Sequence, residues 1–229
     1  MGEVDAHITP ELFGFLSELA DNNDRTWFEA HRSRFEEAVR EPLRAFIRDI
    51  DAPLEQISPH VVADDRKSGG SLFRIHRDVR FSKDKRPYKT WAAVQFRHEA
   101  GKDAHAPGFY LHLQPGNVLM GAGSWHPARE ALERIRDAIS ERPDEWFEAR
   151  DAVLAAGFEF EGESLQRPPR GYAADHPAID DLRRKDFIVV RHLSEEAACA
   201  PDFVQTYAGL CSRAAPLMRF LTSAIGVRW

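Results

Sequence analysis

Nine cationic side chains crowd the stretch from Arg66 to Trp91: Arg66, Lys67, Arg74, Arg77, Arg80, Lys83, Lys85, Arg86 and Lys89. Two acids, Asp78 and Asp84, stand against them. The stretch therefore carries +7 in a chain of net charge −6, leaving −13 for the remainder. A concentrated positive field on an acidic body attracts and orients anions. Arginine adds bidentate geometry for carboxylate or phosphate, and lysine adds a point charge. Gly69-Gly70-Ser71 offers backbone N–H donors in a tight turn beside them. The expectation is a site for a phosphorylated or carboxylated small molecule built from Arg74, Arg77, Arg80, Lys85 and Lys89. Asp78 and Tyr88 would orient those groups or move protons. A pKa lowered by the surrounding cations would suit Tyr88 to that work, whereas packing beside Pro87 in a turn is the commoner role.

Two other readings of the segment stay open. It is an interaction surface for nucleic acid or an acidic protein, or it is an internal ion-pair network in which Arg77-Asp78 and Asp84-Lys85 pin a turn. Nucleic acid is not favoured, because polyanion binders are usually basic throughout. In a strand over 71–76, Arg74 and His76 would face one side and Phe73, Ile75 and Arg77 the other.

Other chemistry is weakly signalled. Ten histidines are present, with His60, His76, His98, His105, His112 and His126 around the expected sheet. None forms a helical i, i+4 pair with a catalytic Glu, and no cysteine cluster joins them, so no metal site is assigned. Ser68, Ser71 and Ser82 lack a nucleophile elbow, and Lys67-Ser68 follows no phosphate-loop glycines. Trp27, Phe28, Trp125 and Trp146 read as core aromatics, any of which would stack on a base or sugar only if the basic segment binds nucleotides. Arg167-Pro-Pro-Arg-Gly-Tyr172 is either a stiff lid or a loop crossing a sheet edge. No catalytic residue and no cofactor is assigned.

The elements that must position these residues begin with helices. Pro10 opens one through Leu12, Phe15, Leu16 and Leu19, and Asp21 to Asp24 break it. A second carries Trp27, Phe28, His31, Phe35 and Val39. Pro42 interrupts it or starts a continuation through Phe46, Ile47 and Ile50, and Pro53 is expected to end it. Strands are expected near 71–76, 92–98, 108–114 and 118–123, the last two joined by a turn at Pro115-Gly116-Asn117. In that hairpin Phe109, Leu111 and Leu113 point one way and Tyr110, His112 and Gln114 the other. Helices follow from Pro127 and Pro143, then a long polar loop over 161–186, and a buried strand over 187–190. A C-terminal helix lines up Phe203, Tyr207, Leu210, Cys211, Ala214, Leu217, Leu221 and Ile225, with Pro216 kinking or dividing it.

Composition fits this outline. In 229 residues, 43% hydrophobic and 30% charged content suits a packed core and excludes a disordered chain. Cys199 and Cys211, expected three helical turns apart on one helix, are too distant to bridge and read as thiols of a reducing compartment. The first ten residues lack the pattern of a signal peptide, and no run approaches the roughly 18 apolar residues of a membrane helix. The expected location is cytoplasmic. Nothing in the sequence sets an oligomeric state.

The segment Arg74-Ile-His-Arg77-Asp78-Val-Arg80-Phe81-Ser-Lys-Asp84-Lys85-Arg-Pro87-Tyr88-Lys89 resembles the hallmark motif of a bacterial family known as domain of unknown function 2461. Further stretches fit the same family: Asn22-Asn23-Asp24-Arg25 with Trp27-Phe28, Gly69 to Arg74, Pro107 to Tyr110, Trp125-His126-Pro127, Arg167 to Tyr172 and Ala215-Pro216-Leu217. The resemblance covers nearly the whole chain. It implies one domain over residues 1–229 and no particular activity. Helices, then strands, then helices with one late strand predict an α+β fold, a largely antiparallel sheet packed by N-terminal and C-terminal helices.

Overall fold

The computed structural model describes residues 6–101 and 107–229. Pro10 sits in the first turn of α1 (Pro10–Asp21), where its missing N–H would be unpaired anyway, and Leu12, Phe15, Leu16 and Leu19 turn inward. Asp24 caps α2 (Arg25–Ala30) by accepting the Trp27 N–H at 2.9 Å. The chain continues through α3 (Arg32–Phe35), a π-helical turn (Glu36–Arg40) and α4 (Glu41–Ile57). Pro42 lies in the first turn of α4 and so starts a continuation. Pro53 does not end α4, contrary to expectation. Leu54, fully buried, extends the stripe of Leu43, Phe46, Ile47 and Ile50. Burying such a side chain gains ~1.5–3 kcal/mol, enough to offset most of the ~3 kcal/mol of an internal proline.

Six strands among the described residues form one sheet: β1 (Val61–Val62), β2 (Ala92–His98), β3 (Gly108–Gln114), β4 (Asn117–Ser124), β5 (Glu159–Glu161) and β6 (Phe187–Leu193). Their order is β1-β2-β3-β4-β6-β5, and every pair is antiparallel. Alternation divides β3 as expected: Phe109, Leu111 and Leu113 are fully buried, and Tyr110, His112 and Gln114 face away from the core.

The strand expected over 71–76 is instead two isolated bridges. Leu72 pairs with Val94, with the Phe73 N–H on the Ala93 carbonyl at 3.0 Å and the Gln95 N–H on the Ser71 carbonyl at 2.9 Å. Ser71 to Phe73 thus share the free edge of β2 with β1. The chain then leaves the sheet and folds back on itself. His76 pairs with Tyr88, the Arg77 N–H reaches the Pro87 carbonyl at 2.9 Å, and the Lys89 N–H reaches the Ile75 carbonyl at 2.8 Å. A longer ladder is opposed by Pro87, which has no N–H, and by like charges at Arg74, Arg77, Arg86 and Lys89.

The C-terminal half adds α5 (Arg129–Glu141), α6 (Pro143–Ala155), α7 (Ile179–Leu182), α8 (Glu195–Ala198) and α9 (Phe203–Ala224). The expected 161–186 loop therefore holds a short helix, α7, and a bridge between Ser164 and Arg184. Cys199 ends α8 and Cys211 lies in α9, so the two free thiols do not share a helix. Pro216 does not divide α9. The Phe96 ring of β2 lies 6.4 Å from Phe46 of α4 and 5.9 Å from Tyr207 of α9, joining early and late helices over one face of the sheet. The fold is α+β, with helices from both ends of the chain around an antiparallel sheet. No helix among the described residues is long and apolar enough to cross a membrane.

Candidate functional site

The loop over 78–86 is built from carboxylate staples. Asp78 accepts the Arg80 backbone N–H at 3.2 Å and its guanidinium at 2.9 and 2.6 Å. Asp84 repeats the device with Arg86 (backbone 3.0 Å, guanidinium 2.8 Å) and also receives Arg77 at 2.7 Å. Lys85 donates to the Val79 carbonyl at 2.9 Å. The pairs expected between sequence neighbours, Arg77-Asp78 and Asp84-Lys85, do not form. In extended chain neighbours point to opposite sides, whereas residues two apart share one. The side-chain and backbone hydrogen bonds from Arg80 push Asp78 down to about 2. Those from Arg86, helped by Arg77, hold Asp84 well below the usual carboxylate range. Phe81 in this loop is 95% exposed.

Behind the loop, Tyr88 is locked in place. The Asn23 side chain, from the turn before α2, accepts the Tyr88 N–H at 3.0 Å and donates to its carbonyl at 3.1 Å. The Tyr88 ring is buried and stacks on Phe28 at 4.1 Å. Burial raises its pKa and outweighs the lowering exerted by nearby cations, so the net lowering expected for Tyr88 is not found.

His76, opposite Tyr88, meets the Tyr88 ring at 5.2 Å and the Phe28 ring at 6.3 Å, both edge-on. Its outer edge is exposed. Burial of its inner face lowers its pKa, and Arg32, Arg74 and Arg40 lower it further. Arg32 is paired with Glu29 at 2.6 Å and Arg40 with Glu36. Arg74 has no carboxylate partner among the described residues, and its field also reaches Asp78 and Lys89.

Lys89 turns to different neighbours. Its ammonium lies 4.6 Å from the Trp91 ring centre and 5.1 Å from that of Phe73, and it donates to the Arg74 carbonyl at 2.8 Å. Burial lowers its pKa, with Arg74 adding to the effect. The rings continue over the outer face of the sheet, from Phe73 to Tyr110 at 6.1 Å and from Trp91 to His112 at 5.2 Å. Tyr110 Oη lies 3.0 Å from His112 Nδ1, and His112 Nε2 lies 3.2 Å from Gln114 Oε1. Since that amide oxygen only accepts, Nε2 carries the hydrogen and Tyr110 donates to Nδ1. Burial pushes Tyr110 up to about 12 and His112 down.

The expected site residues are thus divided three ways: Arg77, Asp78, Arg80 and Lys85 in the stapled loop, Arg74 and Tyr88 beside His76, and Lys89 over the aromatic rings. The Gly69-Gly70-Ser71 turn spends its Ser71 N–H on the Asp64 carbonyl at 2.7 Å. A Cβ on Gly70 would lie 2.5 Å from that same oxygen. Among the described residues no cluster of three or more His, Cys, Asp or Glu is arranged to hold a metal ion, and His105 lies outside them. Phe28 and Trp146 are core residues and Trp27 packs against the core, while Trp125 is 51% exposed. The Arg167–Tyr172 loop is tied to α5 by the Tyr172 hydroxyl, which donates to Asp137 at 2.8 Å.

Sequence reasoning passed over Asp186. This buried residue meets the ring of His126, sixty positions away, at 2.8 Å. A single aspartate before an apolar run carries no signal for such a contact.

Residues 11–220 match the family model described as conserved hypothetical protein (DUF2461). No curated protein and no solved structure matches the chain.

Proposed function

Because the chain belongs to this family of conserved hypothetical proteins, whose description names no reaction, we propose a function from the site itself: binding of a small phosphorylated or carboxylated anion at a shelf formed by Arg74 and His76. The observation that carries the reading is the charge of Arg74, which no carboxylate pairs among the described residues, set beside a histidine whose pKa is depressed by burial and then by the surrounding arginines. An anion seated there neutralises Arg74 and gains a second donor when His76 takes up a proton. Arg32 and Arg40 strengthen the field from behind. Arg77, Asp78, Arg80 and Lys85 hold the adjoining loop in shape, Tyr88 and Asn23 anchor its return, and Lys89 fixes the Arg74 backbone.

The test is an NMR titration of His76 with and without inorganic phosphate. Phosphate raises the His76 pKa in the native protein and leaves it unmoved in Arg74→Ala. A His76 titration indifferent to both phosphate and acetate would overturn the reading.

A second reading, the structural ion-pair network, is favoured by Asp84, whose carboxylate receives both Arg77 and Arg86. Here Arg77→Ala and Asp84→Asn lower the melting temperature by less in combination than the sum of the single effects. Strict additivity counts against it.

A further inference from the structure

We propose that His126 and Asp186 form a proton-transfer dyad at a site separate from the cationic shelf, with His126 Nε2 accepting a proton from water or an alcohol. Asp186 is 1% exposed, just ahead of β6, and its carboxylate is fully engaged. Oδ1 accepts the His126 backbone N–H at 2.7 Å and lies 2.8 Å from the ring Nδ1, while Oδ2 accepts the Glu163 N–H at 3.0 Å. The carboxylate set 2.8 Å from Nδ1 favours the tautomer that carries its hydrogen on that nitrogen, which leaves the lone pair of the ring on Nε2. The imidazole is 49% exposed.

The backbone is shaped around this contact. His126 has φ 47°, the only positive φ of a non-glycine residue among those described. This left-handed turn puts the N–H and the ring of one residue on the same carboxylate oxygen. Across from it, Gly162 has φ +101°, and a Cβ there would come 2.4 Å from the Asp186 Cβ. Left-handed backbone on a non-glycine residue is concentrated at functional sites.

The two backbone N–H groups suffice to satisfy Asp186 and tie the segments after β4 and β5 to the start of β6. The imidazole adds nothing to that tie except its own orientation, with the basic nitrogen left outward. This is the division of labour of a general base and its orienting carboxylate. As Nε2 takes the proton, the O–H bond of the donor breaks with its electron pair left on oxygen as hydroxide or alkoxide, and the new imidazolium charge faces Asp186. The Trp125 indole stacks on the imidazole at 4.4 Å and supplies an apolar wall. Asp186 and Glu163 are titratable groups that act on the ring, and Glu163 is itself closed on Lys185 at 2.8 Å. Lys185 chiefly lowers the Glu163 pKa, with His126 contributing, so Glu163 stays charged beside the dyad.

The test uses the full chain and diethyl pyrocarbonate, whose carbonyl carbon bonds to an unprotonated imidazole nitrogen as ethyl carbonate leaves. Modification is followed by peptide mapping near neutral pH. His192, 62% exposed and only loosely paired at 3.8 Å, is the internal control. The expected result is that His126 is modified several times faster than His192, and that Asp186→Asn removes the advantage. Nitrogen-15 spectra of the unmodified protein provide a second readout that needs no variant, and should place the hydrogen of neutral His126 on Nδ1. Equal reaction rates, or a hydrogen on Nε2, would overturn the proposal and leave His126 a structural residue.

Discussion

Asp78 and Asp84 decide which arginines of the motif remain available. Each takes the side chain and the backbone N–H of the arginine two positions later, so Arg80 and Arg86 are consumed in shaping the loop. The pH dependence follows from the sign of the shift. Asp78 titrates at about 2 in the folded chain, below its ordinary value near ~4 when unfolded. Its contribution is complete above the ordinary value and is lost as pH falls through about 2. Carboxyl carbon shifts of Asp78 across acid pH check this, and a midpoint at the ordinary aspartate value would show the staple open in solution. At Arg74 the expectation is reversed between properties: Arg74→Ala abolishes phosphate binding and leaves the melting temperature nearly unchanged. Residue types were legible at this scale, since the sequence marks every cation of the motif. Their pairing was not, because it depends on which side chains an extended segment turns to one side.

Among the elements, the return strand of the motif depends on a helix-preceding turn far away in sequence. Asn23→Ala removes both side-chain hydrogen bonds to Tyr88, leaving a partly buried N–H and carbonyl without those partners. The expected loss is ~1–3 kcal/mol of unfolding free energy, measured by urea denaturation. Gly70→Ala forces its new methyl against the Asp64 and Arg66 carbonyls and should destabilise by ~1–3 kcal/mol in the same assay. Long periodic elements were readable in advance: α1, β2, β3, β4 and α9 lie where the spacing of apolar residues puts them. The two-residue β1 and three-residue β5 were not, being too short for any periodicity. The excursion over 74–89 misled because Phe73 and Ile75 alternate like strand residues, while the ladder they suggest is broken by Pro87. Pro53 misled for the opposite reason, since tertiary burial of Leu54 and its neighbours on the stripe offsets the cost of a local break.

At the scale of the whole molecule, one cluster of buried side chains runs from Ile8 to Leu221 and includes residues of the helices from both ends and of the sheet. Heat should therefore unfold the chain in one transition, with calorimetric and van't Hoff enthalpies equal. Two resolved transitions would divide the core into separate units. Charge is organised on the same scale, as a basic segment on an acidic remainder, and that was legible from the sequence alone. The contact between His126 and Asp186 was invisible there, because it exists only once β4 and β6 pair. The outline of the sheet has one more effect. One margin is shared by Val61–Val62 and the short run from Ser71 to Phe73, and the other is three residues long, with exposed Glu159 and Glu161. A foreign strand meets stubs and carboxylates in place of an open ladder, so the protein is guarded against zipping edge to edge into fibrils when crowded.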